Sequence, residues 1–210
     1  GVRELGKPAR VDTNTLFAIG STTKAMTVAS LGMLVDEKKL RWDAPVTAYL
    51  PGFALSDPYV TRELTVRDLL THRAGLGNAD LLWYGSDLTT PEIVRRVRYA
   101  KPAYSLRSGF VYQNVMYAVA GQVLESASGG TPWAAFVRSR LLQPLDMRGT
   151  STTLAAIPAG ANVASPHFRI GDSVVVIRNA SVDAVAPAGA IWSSVADMAK
   201  WMRFMLDTGR

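Results

Sequence analysis

Leu16-Phe17-Ala18-Ile19-Gly20-Ser21-Thr22-Thr23-Lys24 decides how the 210-residue chain is read, because its pattern changes from strand-like to helical at Gly20. Leu16 to Ile19 reads as the end of a strand, and the helix runs from Ser21 onward. Between Ser21 and Asp36 the only charged residue is Lys24, so the helix is apolar on nearly every side and belongs in a core. Ser21 and Lys24 stand at i and i+3, which puts both side chains on one helical face. A lysine held in a buried helix loses solvation of its ammonium form. Its pKa falls, and it can then take a proton from the serine hydroxyl. The first helical turn adds unpaired backbone N–H groups and the positive dipole end, both suited to a developing oxyanion.

Taken alone this motif is weak. A serine before an apolar helix is usually an N-cap, and a lysine in the first turn usually snorkels outward. With 15 Ser and 6 Lys in the chain, chance supplies roughly 0.4 such pairs. A second signal is Tyr112-Gln113-Asn114, placed ahead of a helix that Asn114 is expected to cap. A phenol there can relay protons, and the amide can hold a substrate carbonyl or orient a lysine. With 7 Tyr and 5 Asn, chance gives roughly 0.2 matches, and the joint expectation is under about 0.1. Tyr before Asn is commonly core edge plus cap, but the two motifs together favour catalysis.

Start and stop signals announce further helices near residues 65–71, over 91–99, over 114–128 and from 131 to the break at Pro144. A last helix starts at Ser194, whose spacing to Asp197 fits a capping box, and ends near Gly209. One strand is expected over 174–177. Residues 51–64 and 150–172 carry Pro, Gly and Ser without periodicity and read as long loops. The expected domain is α+β, mostly helical with little sheet.

Composition is that of an ordinary globular domain, 48% hydrophobic and 19% charged. The longest uncharged apolar run, 25–35, is far shorter than the roughly 20 residues a membrane-spanning helix needs. No secretory signal opens the sequence, which leaves a mature, truncated or cytoplasmic chain. The absence of Cys excludes a thiol nucleophile and thiolate metal sites. With His72 and His167 the only histidines, no metal and no cofactor are expected. The net charge of +6 is densest at Arg95, Arg96, Arg98 and Lys101, which read as the wet face of one helix. No nucleic-acid motif accompanies them.

Ser-x-x-Lys followed by Tyr-x-Asn resembles the serine β-lactamase and penicillin-binding-protein superfamily, in its class C branch with family VIII carboxylesterases and D-amino-acid peptidases. The stretches Thr15 to Ser21, Leu69-Leu70-Thr71-His72-Arg73-Ala74-Gly75-Leu76 and Pro187-Ala188-Gly189-Ala190-Ile191-Trp192-Ser193-Ser194 resemble the family's recurrent segments in order. The resemblance covers essentially the whole chain. It implies the β-lactamase/transpeptidase-like fold, here mainly the helical subdomain with an incomplete antiparallel sheet. It implies that Ser21 is acylated, Lys24 assists its deprotonation, Tyr112 shuttles the proton and Asn114 binds substrate. Trp83, Tyr84 and Trp192 are candidate walls of an acyl or leaving-group pocket, with a hydrophobic lid or plain packing an equal reading of the Trp83–Tyr84 pair; Gly189 of Pro187-Ala188-Gly189 is a backbone approach to the site or equally an ordinary turn residue. His72 is expected to support the loop after its helix, and His167 to have no chemical part.

The superfamily's third motif, Lys-Thr-Gly or a variant, has no counterpart in the chain; Asp207-Thr208-Gly209 is the nearest match and reads as a helix end. Against the family pattern, residues 1–210 form a single domain lacking an N-terminal helix and strand and the C-terminal strands. Such a segment is expected to be poorly active alone. The implied reaction is acyl transfer to water from an ester, amide or β-lactam. A non-catalytic sensor and a DD-peptidase or transpeptidase are the alternatives. The implied partner is a small-molecule or peptide substrate; oligomeric state stays open. For the compartment the resemblance leans to an extracytoplasmic setting, periplasmic or secreted.

Overall fold

The computed structural model describes residues 1–207 and 209. In chain order its regular elements are β1 (Phe17–Ala18), α1 (Thr23–Asp36), α2 (Pro58–Glu63), α3 (Val66–Leu70), α4 (Thr90–Arg96), α5 (Asn114–Ala127) and α6 (Trp133–Val137). They continue with β2 (His167–Ile170), β3 (Ser173–Val176), α7 (Ala186–Gly189), β4 (Trp192–Ser193) and α8 (Val195–Leu206). The strands form two small antiparallel pairs, β1 with β4 and β2 with β3. In the first, Phe17 faces Ser193 and Ala18 faces Trp192. The architecture is the helix-rich α+β arrangement expected.

Helix α1 lies at the centre, as its apolar circumference requires: every residue is buried or half-buried except Ala25 and Asp36. It packs against α5, α6 and α7. Helix α5 is equally enclosed, with Val115, Met116, Val119, Val123 and Leu124 wholly removed from solvent. These two helices form the core on which the site is built, and burial of such side chains contributes about 1.5–3 kcal/mol each.

Several elements differ from expectation, and local chemistry explains each. Helix α2 lies inside the segment 51–64 expected as loop. Asp57 caps it, accepting from the Tyr59 and Val60 amides, with Pro58 at the first position, but its 6 residues are too few to show periodicity. Strand β2 likewise falls in the expected loop 150–172. It pairs with β3 through the two-residue turn Gly171–Asp172, Gly171 taking φ 58. The strand expected over 174–177 is β3, one residue earlier. Asn114 is not the cap of α5 but its first residue; Gln113 holds the cap position without a side-chain bond. At α8, Ser194 does accept from the Asp197 amide. The Asp197 carboxylate, however, turns to Gly149 N–H at 3.0 Å and the Thr150 hydroxyl at 2.9 Å, so the box is half made. Helix α8 ends at Leu206; Thr208, in the nearest match to the third motif, lies outside the described residues.

Helix α3 has the full capping box, between Thr65 and Asp68. Asp68 also accepts from the Arg107 guanidinium at 2.9 and 2.7 Å. Burial alone would raise this carboxyl, but the bonds from Arg107 and Thr65 bring it below its ordinary range. The ion pair fastens the loop that leads to Tyr112 onto α3. Of the basic cluster only Arg95 and Arg96 sit on the wet face of α4, paired with Glu92; Arg98 falls in the turn that follows, Val97–Tyr99, and Lys101 lies beyond it. No helix among the described residues is long and apolar enough to cross a membrane.

Candidate active site

The β1–β4 pairing and the bond from Ile19 N–H to Ile191 O steer the chain into a tight turn, Gly20–Thr22, that runs directly into α1. Ser21 stands exposed in this turn rather than in the α-helix proper, while Lys24 is only 7% exposed. The i, i+3 geometry survives: Lys24 Nζ donates to Ser21 Oγ at 3.2 Å. It also donates to Asn114 Oδ1 at 2.9 Å and to the Ala188 carbonyl at 2.8 Å. The Tyr112 hydroxyl donates to Ser21 Oγ at 2.6 Å. Lys24 and Tyr112 thus meet at the Ser21 hydroxyl, and Asn114, 90 residues from Lys24 in sequence, holds the lysine from behind.

Burial pushes the Lys24 ammonium below the ordinary lysine range, while its bond and charge interaction with Tyr112 and the charge of Asp80 oppose that shift. Its Nζ lies 4.6 Å from the centre of the Tyr112 ring and 5.1 Å from that of Tyr117. Burial, and then the charge of Tyr112, push the Tyr117 phenol up to about 12, so it stays a neutral wall, donating to the Leu70 carbonyl at 3.0 Å.

The loop carrying Tyr112 is pinned from beneath. His72, at φ 60, accepts from Gln113 N–H through Nδ1 at 3.1 Å and stacks on Tyr112 with ring centres 4.5 Å apart. Burial, and then the charge of Lys24, lower the His72 pKa, which keeps Nδ1 free to accept. Its contacts are those of a support. Gly75, at φ 76, lets the backbones touch: a Cβ there would fall 2.5 Å from the Tyr104 carbonyl oxygen. His167, in the exposed β2, accepts from Leu5 N–H and takes no part in this cluster.

Gly189 ends α7 against the turn that bears Ser21; a Cβ on it would lie 3.6 Å from the Gly20 carbonyl carbon. The neighbouring carbonyls meet α1 directly, Ala188 at Lys24 and Pro187 at the Thr27 hydroxyl at 2.8 Å. Trp192 requires a correction. It is 6% exposed, paired through β4 with Ala18 and bridged to Ser151, so it packs the sheet instead of lining an open pocket. Trp83 is half-buried at the end of the turn Asp80–Leu82, edge-on to the 70% exposed Tyr84. The sequence pattern missed Asp80, whose Oδ1 accepts from Asn114 Nδ2 at 3.2 Å and from the Trp83 indole at 2.8 Å. Among the described residues no cluster of three or more His, Asp or Glu that could hold a metal ion occurs.

The position of α7 depends on Gly121 of α5, where a Cβ would fall 2.4 Å from the stiff Pro187 ring. Gly121→Ala is therefore expected to cost about 1–3 kcal/mol of stability and to move the Ala188 carbonyl away from Lys24. Thermal unfolding together with the rate of Ser21 modification checks this. An unchanged melting temperature would show that α7 yields freely.

The family profile described as Beta-lactamase matches residues 1–210, and the chain belongs to that family, within the superfamily of serine β-lactamases and penicillin-binding proteins. It is 30% identical over 99% of its length to Unguisins hydrolase ungD of Aspergillus violaceofuscus (strain CBS 115571), covering 39% of that protein. It is 36% identical over 70% of its length to Esterase EstB of Burkholderia gladioli, covering 40% of that protein. Its fold matches D-amino acid amidase from Ochrobactrum anthropi SV3, solved with L-phenylalanine, with a TM-score of 0.84 at 24% identity. That match covers 100% of this chain and 60% of the other. The chain therefore spans less than half the length of the two curated relatives, both hydrolases by name.

Proposed function

We propose that the protein is a serine hydrolase that works through an acyl-enzyme on Ser21, taking esters or D-amino-acid amides in preference to β-lactams. The observation that carries this reading is the convergence of Lys24 Nζ and the Tyr112 hydroxyl on Ser21 Oγ, at 3.2 and 2.6 Å. Both are within the reach a proton acceptor needs.

In the first half-reaction Ser21 Oγ bonds to the substrate carbonyl carbon as its proton passes to the coupled Lys24–Tyr112 pair. The tetrahedral intermediate then breaks its bond to the leaving group, which receives that proton. In the second half, water attacks the acyl carbon, gives a proton to the same pair, and the released Ser21 oxygen takes it back. Asn114 suits a substrate carbonyl or amide, and the Trp83–Tyr84 edge suits an acyl chain.

Substrate preference follows from the deacylation step. A β-lactam acyl-enzyme accumulates unless a closely positioned water attacks it, whereas an ester brings a good leaving group and demands less geometry. In the full-length protein, kcat/KM for p-nitrophenyl butyrate or a D-Phe anilide is expected to exceed that for nitrocefin by about tenfold or more. A nitrocefin value well above the others would overturn the preference. Covalent capture of substrate without turnover of any of the three would favour a sensor.

A further inference from the structure

Asp80 opens the short turn Asp80–Leu82 in the loop between α3 and α4. The cap position of this turn belongs to Ala79, so the Asp80 carboxylate is left free of any capping part. Its oxygens accept from three side chains: Asn114 Nδ2 at 3.2 Å and Trp83 Nε1 at 2.8 Å, both at Oδ1, and Asn78 Nδ2 at 3.4 Å at Oδ2. At the start of the turn it is Asn78 Oδ1 that accepts, from the Asp80 N–H at 3.0 Å.

We infer that Asp80 is a positioning residue: by accepting from the Asn114 amide it fixes which end of that amide faces Lys24, and so aims Lys24 at Ser21. The inference rests on the function proposed above and goes one layer further out. A carboxamide has one accepting and one donating end, and the two can exchange by a half-turn. Lys24 is a pure donor and binds Asn114 Oδ1 at 2.9 Å; Asp80 is a pure acceptor and binds Nδ2. A flipped amide would set two donors against each other at Lys24 and two acceptors at Asp80. Only one orientation satisfies both ends. With Asn114 Oδ1 and the Ala188 carbonyl holding two of its three protons, Lys24 has its third left for Ser21 Oγ. Burial lowers the Lys24 pKa, and the negative charge of Asp80 is among the influences that oppose this.

The Trp83 indole shares the same carboxylate oxygen, so the aromatic edge of the site and the amide beside the nucleophile are tied to one atom.

Asp80→Asn and Asp80→Ala separate acceptor from mere packing. An asparagine can present its own oxygen to Asn114 and Trp83, giving up the long contact with Asn78 and the negative charge. Alanine removes the acceptor. In the full-length protein, the rate at which a serine-reactive phosphonate labels Ser21 is expected to fall about 10- to 100-fold in Asp80→Ala. In Asp80→Asn it is expected to stay within about threefold of the parent. A second readout does not need the nucleophile: the Asn114 side-chain NH2 pair in 15N spectra should keep its position in Asp80→Asn and shift or broaden in Asp80→Ala. Parental labelling in Asp80→Ala, or equal loss in both variants, overturns the inference. An unlabelled parent would defeat the acyl-enzyme reading alone. The Asn114 signal would then still decide the role of Asp80, an unchanged signal in Asp80→Ala overturning it.

Discussion

Ser21→Ala should abolish covalent labelling by a serine-reactive phosphonate and lower turnover by about 10⁴-fold or more. Ser21 Oγ is the one hydroxyl that both Lys24 and Tyr112 address, and no other group in the cluster offers a nucleophile of that geometry. The fold should hardly notice. Ser21 is exposed, its side chain caps nothing, and Lys24 keeps its bonds to Asn114 and Ala188. A stability change within about 1 kcal/mol is expected. Intact-mass analysis before and after exposure to the phosphonate reads the result directly, and a mass shift surviving in the alanine variant would remove Ser21 from the mechanism.

Lys24→Ala should slow acylation by about 10²- to 10⁴-fold, the range that loss of a positioned acid–base group produces. The pH dependence carries the sign. Burial depresses the Lys24 pKa from its ordinary 10.5, and the form able to accept the Ser21 proton is the deprotonated one. The kcat/KM of the parent should therefore rise with pH through a limb whose midpoint lies below 10.5. That limb should be absent in Lys24→Ala. His72 titrates as well, its pKa lowered by burial and by Lys24, but it meets Tyr112 and Gln113 rather than Ser21. A limb unchanged in Lys24→Ala would assign the titration to another group and leave the lysine a structural cation.

Short-range chemistry was legible in the sequence wherever it lay within one turn or one cap. Ser21 and Lys24 sit three residues apart, and Tyr112 and Asn114 two apart, so each pair could be recognised without knowing the fold. The capping residues of α3 and α8 were readable for the same reason. Asp80 was not, because the carboxylate stands in an aperiodic loop 34 residues from the amide it binds. An asparagine ahead of a helix ordinarily caps it, whereas the Asn114 amide is committed to Lys24 and Asp80. The burial of Trp192 was not legible, because an aromatic beside a Gly-containing segment gives no sign of which side of a two-residue strand faces the core.

By itself, then, the sequence determined the central apolar helix, the Ser21–Lys24 and Tyr112–Asn114 pairs and the family they point to, since helical spacing and residue chemistry are local properties. Only the tertiary structure decided that Lys24 and Tyr112 meet at the Ser21 hydroxyl, with Asn114 and the Ala188 carbonyl holding Lys24 and Asp80 behind Asn114. The reason is physical: burying α1 and α5 side by side removes their apolar faces from water and brings the lysine and the amide together as a consequence. The partners of a buried charge are chosen by that packing, and no period in the chain records them.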